Sequence, residues 1–182
     1  MSGVTPDILV GGKGLTGGYA PMGGIFASEA VVAPIVERGQ DVMFFTYSAH
    51  PASCAAADRV LQILEREALV ARAAAMGEKL GKRLSRLLAH PNVGDVRGRG
   101  LLWGIELVAD KVTRAPFPAA AGLTAKVVAA GISHGIFVYP GGVDPARDVI
   151  TLGPPFTISE HEVELIAERT ERAIESALAR LH

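Results

Sequence analysis

The sequence lacks the features that mark secreted and membrane proteins. Its 182 residues include one cysteine, Cys54, so no intrachain disulfide can form and a reducing cytoplasm is the simplest expectation. The N-terminal residues contain neither the basic region nor the apolar region of a secretory signal. No apolar run approaches the ~20 residues that a membrane-spanning helix requires. We therefore expect a cytoplasmic protein that does not enter a membrane.

The sequence also lacks an excess of charge of either sign. Lysine and arginine number 18, aspartate and glutamate number 19, and the formal net charge is -1. This balance excludes the broad basic surface of a non-specific nucleic-acid-binding protein. Hydrophobic residues make up 49% of the chain, which is enough to build the core of a globular fold. We expect neither nucleic acid nor a membrane among the partners.

Glycine, in contrast, is abundant and unevenly distributed. There are 21 glycines, and many of them lie within the first 24 residues. The apolar residues 8–10 predict a short buried strand, after which the glycines form a loop that carries Lys13. Residues 24–27 predict a second buried strand, and Ser28 is placed to cap a short helix that ends near Gly39. The sequence thus begins with two short strands separated by a glycine-rich loop.

The remainder predicts two helices followed by a mixture of strands and helices. Pro51 suits the first turn of a helix over residues 52–67, and leucines from Leu69 onward continue a helical spacing that Gly77 and Gly81 weaken. The later predicted elements are a hairpin (93–97 and 101–108), a helix (123–130), two strands (136–139 and 149–152) and a final helix that opens with a capping box of Ser159 and Glu162. We place a domain boundary near residues 67–75, which divides the chain into domains of residues 1–70 and 71–182.

Lys13 is the first candidate catalytic residue. An amine held in a glycine loop beyond a strand can act as a nucleophile that forms a Schiff base with a carbonyl compound. The surrounding Gly-Gly-Lys-Gly also suggests a phosphate-binding P-loop, but that motif needs a serine or threonine directly after the lysine. Gly14 occupies that position here, so the P-loop interpretation fails. From the residues alone, an ordinary surface lysine remains the alternative.

The residues around Lys13 resemble the lysine signature of the class III aminotransferases. That signature runs from an acidic residue through apolar and variable residues to a small residue and the lysine, and then through three residues to two small ones. The segment from Asp7 to Gly18, which reads DILVGGKGLTGG, matches it at each position.

The resemblance implies a cofactor, a fold and a role for the lysine. Pyridoxal 5'-phosphate would be the cofactor, and Lys13 would be both its covalent anchor and the catalytic base and acid. The implied fold class is α/β, in the form called fold type I. Residues 1–70 would form the C-terminal part of the cofactor-binding large domain, and residues 71–182 would form a small α+β domain.

Thr46 is the second candidate site residue. Residues 45–51, which read FTYSAHP and precede an alanine-rich helix, resemble the family segment whose threonine binds the cofactor phosphate of the neighbouring subunit. A hydroxyl just ahead of a helix N-terminus is suited to bind phosphate. The alternative is that Thr46 or Ser48 only caps the helix. If the resemblance holds, the cross-subunit contact implies a homodimer.

Arg147 is the third candidate, because many members of the family have an arginine near this point that pairs with a substrate carboxylate. A guanidinium has the bidentate geometry that this contact requires, and a solvated loop arginine is the alternative. Tyr19 and Tyr139 either line the substrate cavity or belong to the core. Trp103 and Glu106 lie in a block that resembles the family's first C-terminal hairpin, and we expect them to be structural. The histidines do not have the spacing of a metal site.

The resemblance covers the whole sequence, but the sequence does not cover the whole family. In class III aminotransferases, a glycine-rich phosphate loop, an aromatic residue stacked on the cofactor ring and an aspartate paired with the ring nitrogen all lie upstream of the lysine. We therefore expect a C-terminal fragment whose first ~65 residues expose faces that normally pack against neighbours.

The implied function is that of a pyridoxal-phosphate-dependent transaminase. Such an enzyme passes an amino group from an amine or amino acid to a keto acid or aldehyde in a ping-pong reaction, and we expect this chain alone to be inactive. Two alternatives stay open. One is a non-catalytic or split-enzyme fragment of the same fold, and the other is aminomutase, decarboxylase or racemase chemistry at the same lysine.

Overall fold

The computed structural model of the protein describes residues 3–39 and 45–181. The chain divides into two compact units, Met1–Ala68 and Leu69–His182. Among the described residues, no helix combines the length and the apolar character needed to cross a membrane.

The first unit contains a two-stranded antiparallel sheet and two helices. Strands β1 (Ile8–Gly12) and β2 (Gly23–Ala27) pair so that Ile8 lies opposite Ala27 and Gly12 lies opposite Gly23. A short 3-10 turn, Lys13–Thr16, follows β1 directly. Helix α1 spans Glu29–Glu37 with Ser28 at its N-cap position, and α2 spans Pro51–Arg66. The strands, the glycine loop between them and both helices lie where the sequence predicts them.

The two strands are exposed rather than buried. Ile8 and Leu9 are 53% and 54% exposed, and Val10 is 75% exposed. Because successive side chains of a strand point to opposite faces, both faces of β1 are open. The prediction of buried strands is therefore wrong for this chain. An apolar sequence indicates that a strand can be buried, but it does not show whether another part of the chain covers it. The expectation that this part of the chain exposes apolar faces is confirmed.

Helix α2 packs against the loop that follows β1. Its buried side chains, Ser53 and Ala57, lie one turn apart on the same face. The hydroxyl of Ser53 donates a hydrogen bond to the carbonyl of Pro21, 3.2 Å away. A Cβ placed on Gly17 would lie 3.3 Å from a methyl group of Val60, so the loop and the helix are in close contact at this point. The loop is thereby fixed to the helix.

The second unit is a four-stranded antiparallel sheet with three helices and one shared hydrophobic core. Its elements are α3 (Leu69–Leu84), β3 (Val93–Arg99), β4 (Leu102–Leu107), α4 (Leu123–Ser133), β5 (Tyr139–Pro140), β6 (Val149–Leu152) and α5 (Glu160–Leu178). The strand order is β3-β4-β6-β5. Leu80 of α3, Ile105 of β4, Val127 of α4 and Ile174 of α5 all lie in the core.

Several local predictions for this unit are confirmed. Strands β3 and β4 form the predicted hairpin. At the start of α5, the backbone N–H of Glu162 donates to the hydroxyl of Ser159, and the backbone N–H of Ser159 donates to the Glu162 carboxylate. The predicted capping box is thus present with both of its hydrogen bonds.

Two boundaries differ from the prediction because core packing overrides the local pattern. The apolar residues 136–139 predict a strand, but only Tyr139 and Pro140 pair with β6. Val138 is fully buried, so part of this apolar run serves the core rather than a strand ladder. Helix α4 runs past Gly131 to Ser133, because Gly131 leaves room for the carbonyl of Ile136 rather than ending the helix.

Gly77 and Gly81 of α3 have a reason that helical spacing alone does not reveal. A Cβ on Gly77 would collide with the main chain of Gly100, and a Cβ on Gly81 would collide with the ring of Trp103. Both glycines therefore let α3 approach the β3–β4 hairpin closely. The two glycines weaken α3 as an isolated helix, but they permit its packing in the folded unit.

Candidate functional site

Lys13 is the first residue after β1 and has an unusual backbone conformation. Its φ is 51°, in the left-handed region, which costs about 1–2 kcal/mol for a residue with a Cβ. The side chain is exposed, and its amine has no hydrogen-bond or ion-pair partner among the described residues. Backbone strain of this kind is found at functional positions, so the conformation of Lys13 supports a functional role.

The loop after Lys13 turns back sharply and is held by two side-chain hydroxyls. Gly17 and Gly18 have φ values of 62° and 83°, which only glycine adopts readily. Thr16 is fully buried and donates through Oγ1 to the carbonyl of Ala20 at 2.5 Å. The hydrogen bond from Ser53 to Pro21 holds the next carbonyl. Sequence patterns did not reveal Thr16 and Ser53, because small hydroxyl residues carry no signal of burial on their own.

Asp7, the acidic residue of the lysine signature, closes the opposite end of β1. Its carbonyl accepts a hydrogen bond of 2.8 Å from the backbone N–H of Ser28, and the Ser28 hydroxyl lies 3.4 Å from its carboxylate. Lys13 lies six positions after Asp7, at the other end of the extended strand, which corresponds to about 20 Å. Asp7 therefore fixes the sheet and does not share a site with the lysine.

Thr46 lies in an exposed turn ahead of α2. The turn is closed by Ser48, whose backbone N–H donates to the carbonyl of Phe45 and whose hydroxyl accepts from the Phe45 N–H. The hydroxyl of Thr46 has no hydrogen-bond partner in the described part of the chain, so it is available to a ligand.

The cap of α2 is His50 rather than Thr46 or Ser48. Its ring Nδ1 accepts a hydrogen bond of 3.3 Å from the backbone N–H of Ser53. The alternative that Thr46 or Ser48 caps this helix is therefore wrong. Sequence patterns offered little warning of this, because histidine is not among the residues favoured at an N-cap.

Lys13 and Thr46 each present a functional group that suits pyridoxal phosphate, and the family resemblance assigns Thr46 to the cofactor of the neighbouring subunit. A free amine is what the aldehyde carbon of that cofactor requires, and an unpartnered hydroxyl ahead of a helix suits its phosphate. Apart from each glycine's neighbours in the chain, no described atom lies within 4 Å of the Cβ positions that Gly14 and Gly18 lack, so the loop beside Lys13 is open. Both residues belong to the first unit.

Arg147 lies in the second unit, in the tight loop between β5 and β6. Its Nε atom is 2.7 Å from a carboxylate oxygen of Asp144, and the side chain is one-third exposed. The neighbouring Asp148 is buried and accepts a hydrogen bond of 3.1 Å from the hydroxyl of Thr124. The guanidinium of Arg147 is thus already engaged with an acidic side chain of its own loop.

The two tyrosines named above are exposed, whereas the tryptophan and the glutamate of the β3–β4 hairpin have structural roles. Tyr19 is 88% exposed and Tyr139 is 63% exposed, so the core interpretation is wrong for both. The indole N–H of Trp103 donates to the carbonyl of Gly100 at 2.8 Å, as expected of a packing residue. Glu106 accepts a hydrogen bond of 2.6 Å from Arg97.

The ion pairs of Arg97 also have a structural character. Hydrogen bonds to Glu106 and then to Asp95 raise the pKa of Arg97 above its ordinary value, because both carboxylates favour the charged guanidinium. Asp95 and Arg97 are on β3 and Glu106 is on the paired β4, so the three side chains brace the hairpin. No group of three or more potential metal ligands is present among the described residues.

Comparison with protein families gives one match that covers nearly the whole chain. The model of the family described as "Aminotransferase class-III" matches residues 1–174. An uncharacterized aminotransferase of Schizosaccharomyces pombe is 41% identical over 186 residues, which cover 100% of this chain and 40% of the relative. The diaminobutyrate–2-oxoglutarate transaminase of Halomonas elongata is 34% identical, over 94% of this chain and 37% of that protein.

Solved structures of transaminases share the fold. A transaminase from the marine bacterium Virgibacillus superposes with a TM-score of 0.92 at 32% identity, over 98% of this chain and 41% of its own. A transaminase obtained by ancestral reconstruction superposes with a TM-score of 0.90 at 36% identity, over 99% and 40% of the two chains. The α/β fold class is confirmed. The chain spans about two fifths of the length of the proteins that it matches.

Proposed function

The chain belongs to the class III aminotransferase family, and we propose that it supplies the catalytic lysine and the small domain of a pyridoxal-phosphate-dependent transaminase. The observation that carries this proposal is the geometry of Lys13, which has a strained backbone and an exposed side chain at the start of a glycine loop. In this assignment, residues 1–70 are the C-terminal part of the cofactor-binding large domain, and residues 71–182 are the small domain. A cytoplasmic location is part of the proposal and is supported by the single cysteine.

Lys13 would hold the cofactor and transfer protons. When bound, pyridoxal phosphate withdraws electrons from the substrate, which acidifies the proton on the α-carbon. The Nζ atom of Lys13 would hold the cofactor through a covalent bond to its aldehyde carbon. Once an amino donor has displaced it, Nζ would take the proton from the α-carbon as a base and return it as an acid.

Thr46 and Arg147 would bind the charged ends of the cofactor and the substrate. The free hydroxyl of Thr46 would donate to the cofactor phosphate, which by the family resemblance would belong to the neighbouring subunit of a homodimer. Arg147 would pair with a substrate carboxylate, for which it would have to exchange or share its contact with Asp144. The substrates on this basis are an amino donor and a carbonyl acceptor.

The split-enzyme alternative is favoured by one observation, the exposure of apolar side chains on both faces of β1. A strand of this composition is normally buried on both sides, as in the sheets of α/β proteins. We propose that a polypeptide equivalent to the N-terminal three fifths of the family fold covers these faces and completes the site. In that case, replacement of the exposed Val10 by serine would leave this chain folded and weaken its association with that polypeptide.

Borohydride labelling tests the assignment of Lys13. The chain is incubated with pyridoxal phosphate alone, and also after co-expression with the N-terminal part of the Schizosaccharomyces pombe relative, and is then reduced and mapped by peptide mass. We expect scattered, substoichiometric labelling of the chain alone and one label on Lys13 in the complex. Lys13→Ala should abolish that label, whereas Lys82→Ala, which removes another exposed lysine, should not.

Two results would count against the proposal. A stable complex that leaves Lys13 unlabelled would refute its role as the cofactor lysine. Stoichiometric labelling of Lys13 and transamination by the chain alone would refute the need for a complementing part. Product analysis of an active complex separates the chemistries, because a transaminase forms a keto product from the donor, whereas a decarboxylase releases carbon dioxide.

A further inference from the structure

We propose that Thr16 and Ser53 are positioning residues for Lys13, because their hydroxyls hold the return limb of the lysine loop. The inference rests on the proposed function of Lys13 for its catalytic meaning. Its structural content, that two buried hydroxyls fix the conformation of this loop, can be tested without cofactor.

The conformation of Lys13 requires support from outside the residue. A lysine with a φ of 51° is in a backbone region that side chains with a Cβ rarely adopt. Gly12 precedes it in an extended conformation and is the last residue of β1. The ladder between β1 and β2 therefore fixes the loop at Gly12 and Gly23 but leaves the ten residues between them to be held by other contacts.

Thr16 holds the tip of the loop. Its Oγ1 donates to the carbonyl of Ala20, and its own carbonyl accepts a hydrogen bond of 3.1 Å from the N–H of Tyr19. The N–H of Gly17 donates to the carbonyl of Gly14 at 2.9 Å. Thr16 has no solvent exposure, and loss of its hydroxyl would remove this donor from the Ala20 carbonyl.

Ser53 holds the adjacent position from a different element. It lies on α2, is 8% exposed, and donates through Oγ to the carbonyl of Pro21 at 3.2 Å. Two consecutive carbonyls, those of Ala20 and Pro21, are thus fixed by one donor from within the loop and one from the helix. The loop can neither tilt away from α2 nor unwind at its tip without breaking one of these hydrogen bonds.

Ser53 also links the two proposed cofactor-binding residues. The Nδ1 atom of His50 lies 3.3 Å from the Ser53 hydroxyl and accepts the Ser53 backbone N–H, which places Ser53 in the first turn of α2. Thr46 precedes the same turn by a few residues. The start of α2 therefore holds the lysine loop on one side and continues into the Thr46 segment on the other.

The test compares variants that remove a hydroxyl with one that keeps it. Thr16→Val preserves the shape of the side chain, Ser53→Ala removes the donor from α2, and Thr16→Ser retains the donor. Ser85→Ala is the matched control, because Ser85 donates to a carbonyl of α3 in the second unit. Hydrogen exchange of the loop amides is measured by mass spectrometry, and the Cα and Cβ chemical shifts of Lys13, which depend on φ and ψ, are measured by NMR.

We expect the loop amides to exchange roughly tenfold faster in Thr16→Val and in Ser53→Ala, since each loses a hydrogen bond that holds the return limb of the loop. The Lys13 shifts should move toward those of an ordinary negative φ in the same two variants. Thr16→Ser and Ser85→Ala should match the parent protein in both measurements. Peptides from the second unit should be unaffected in Thr16→Val and in Ser53→Ala, which shows that a changed loop does not reflect global unfolding.

Each outcome is decisive for a separate statement. Unchanged exchange and unchanged Lys13 shifts in both Thr16→Val and Ser53→Ala would overturn the anchoring. Faster exchange with unchanged Lys13 shifts would overturn the positioning of the lysine. In the complex with an N-terminal part, the variant with the larger change in the Lys13 chemical shifts should also show the larger decrease in borohydride labelling of Lys13. If Lys13 of the parent protein is not labelled in this complex, the proposed function is refuted. The conclusions from hydrogen exchange and chemical shifts, which are measured without cofactor, are unaffected.

Discussion

Replacement of Gly77 by alanine tests whether the close approach of α3 to the β3–β4 hairpin determines the stability of the second unit. In an isolated helix, alanine is more favourable than glycine by about 1 kcal/mol. In the folded unit, the added Cβ would collide with the carbonyl carbon and oxygen of Gly100 and would lie 2.7 Å from its Cα. The two effects have opposite signs, so the direction of the change identifies the larger one.

The collision should exceed the gain in helix propensity. All three contacting atoms belong to the main chain of Gly100, which has a φ of 55° and lies in the turn between two paired strands. A flexible side chain could rotate away, but this turn can move only with the hairpin. Overpacking of a core costs about 1–3 kcal/mol, and contacts this short belong near the upper limit. Subtraction of the propensity term leaves an expected net loss of about 2 kcal/mol.

Urea unfolding followed by tryptophan fluorescence measures this difference. Trp103 is the single tryptophan of the sequence, and its indole N–H is bonded to the carbonyl of Gly100, so its emission reports on the hairpin itself. The matched control is Ala75→Gly at an exposed position of α3, which should lose about 1 kcal/mol through propensity alone. A Gly77→Ala protein as stable as the parent, or more stable, would refute the close-packing argument.

Two further predictions concern the second unit. Hydrogen bonds from the hydroxyl and then the backbone N–H of Ser159 lower the pKa of Glu162 below its ordinary value of 4.5. Because the folded pKa is lower than the unfolded one, this contribution to stability is complete above the ordinary pKa and is lost as the pH falls through the lowered value. Thermal unfolding of Glu162→Ala between pH 7 and pH 2 should therefore show a shallower acid-induced loss than the parent, and an identical pH profile would contradict this. Leu80→Ala removes a side chain with no solvent exposure and should cost about 2–5 kcal/mol in urea unfolding, whereas Val112→Ala, at a position that is 94% exposed, should change stability by less than about 0.5 kcal/mol. Equal effects of these two substitutions would contradict the assignment of the core.

Sequence patterns that reflect contacts between residues close together in the chain were sufficient to predict much of the fold. The capping box of Ser159 and Glu162 and the proline at the start of α2 act through contacts within one turn, so their sequence patterns predict them directly. The β3–β4 hairpin is similar, because its strands are joined by a short turn. The lysine signature is also contiguous, which is why the order of its residues is enough to indicate the family.

The role of His50 could not be predicted in the same way. Its imidazole caps α2 only because the chain ahead of the helix turns so that Nδ1 faces the N–H of Ser53. The burial of Thr16 and Ser53 likewise depends on the packing of α2 against the lysine loop. Ser53 and Pro21, which this packing brings together, are 32 residues apart in the sequence, and no local periodicity predicts that contact.

The sequence by itself determined the family, the α/β class, the positions of most helices and strands, and the candidate residues Lys13, Thr46 and Arg147. Only the tertiary structure decided that Gly77 leaves room for Gly100 and that the hydroxyls of Thr16 and Ser53 hold the loop that carries the lysine. The physical reason is that hydrophobic patterns and caps act over a few residues. Close packing and the satisfaction of buried carbonyls depend on which distant segments meet.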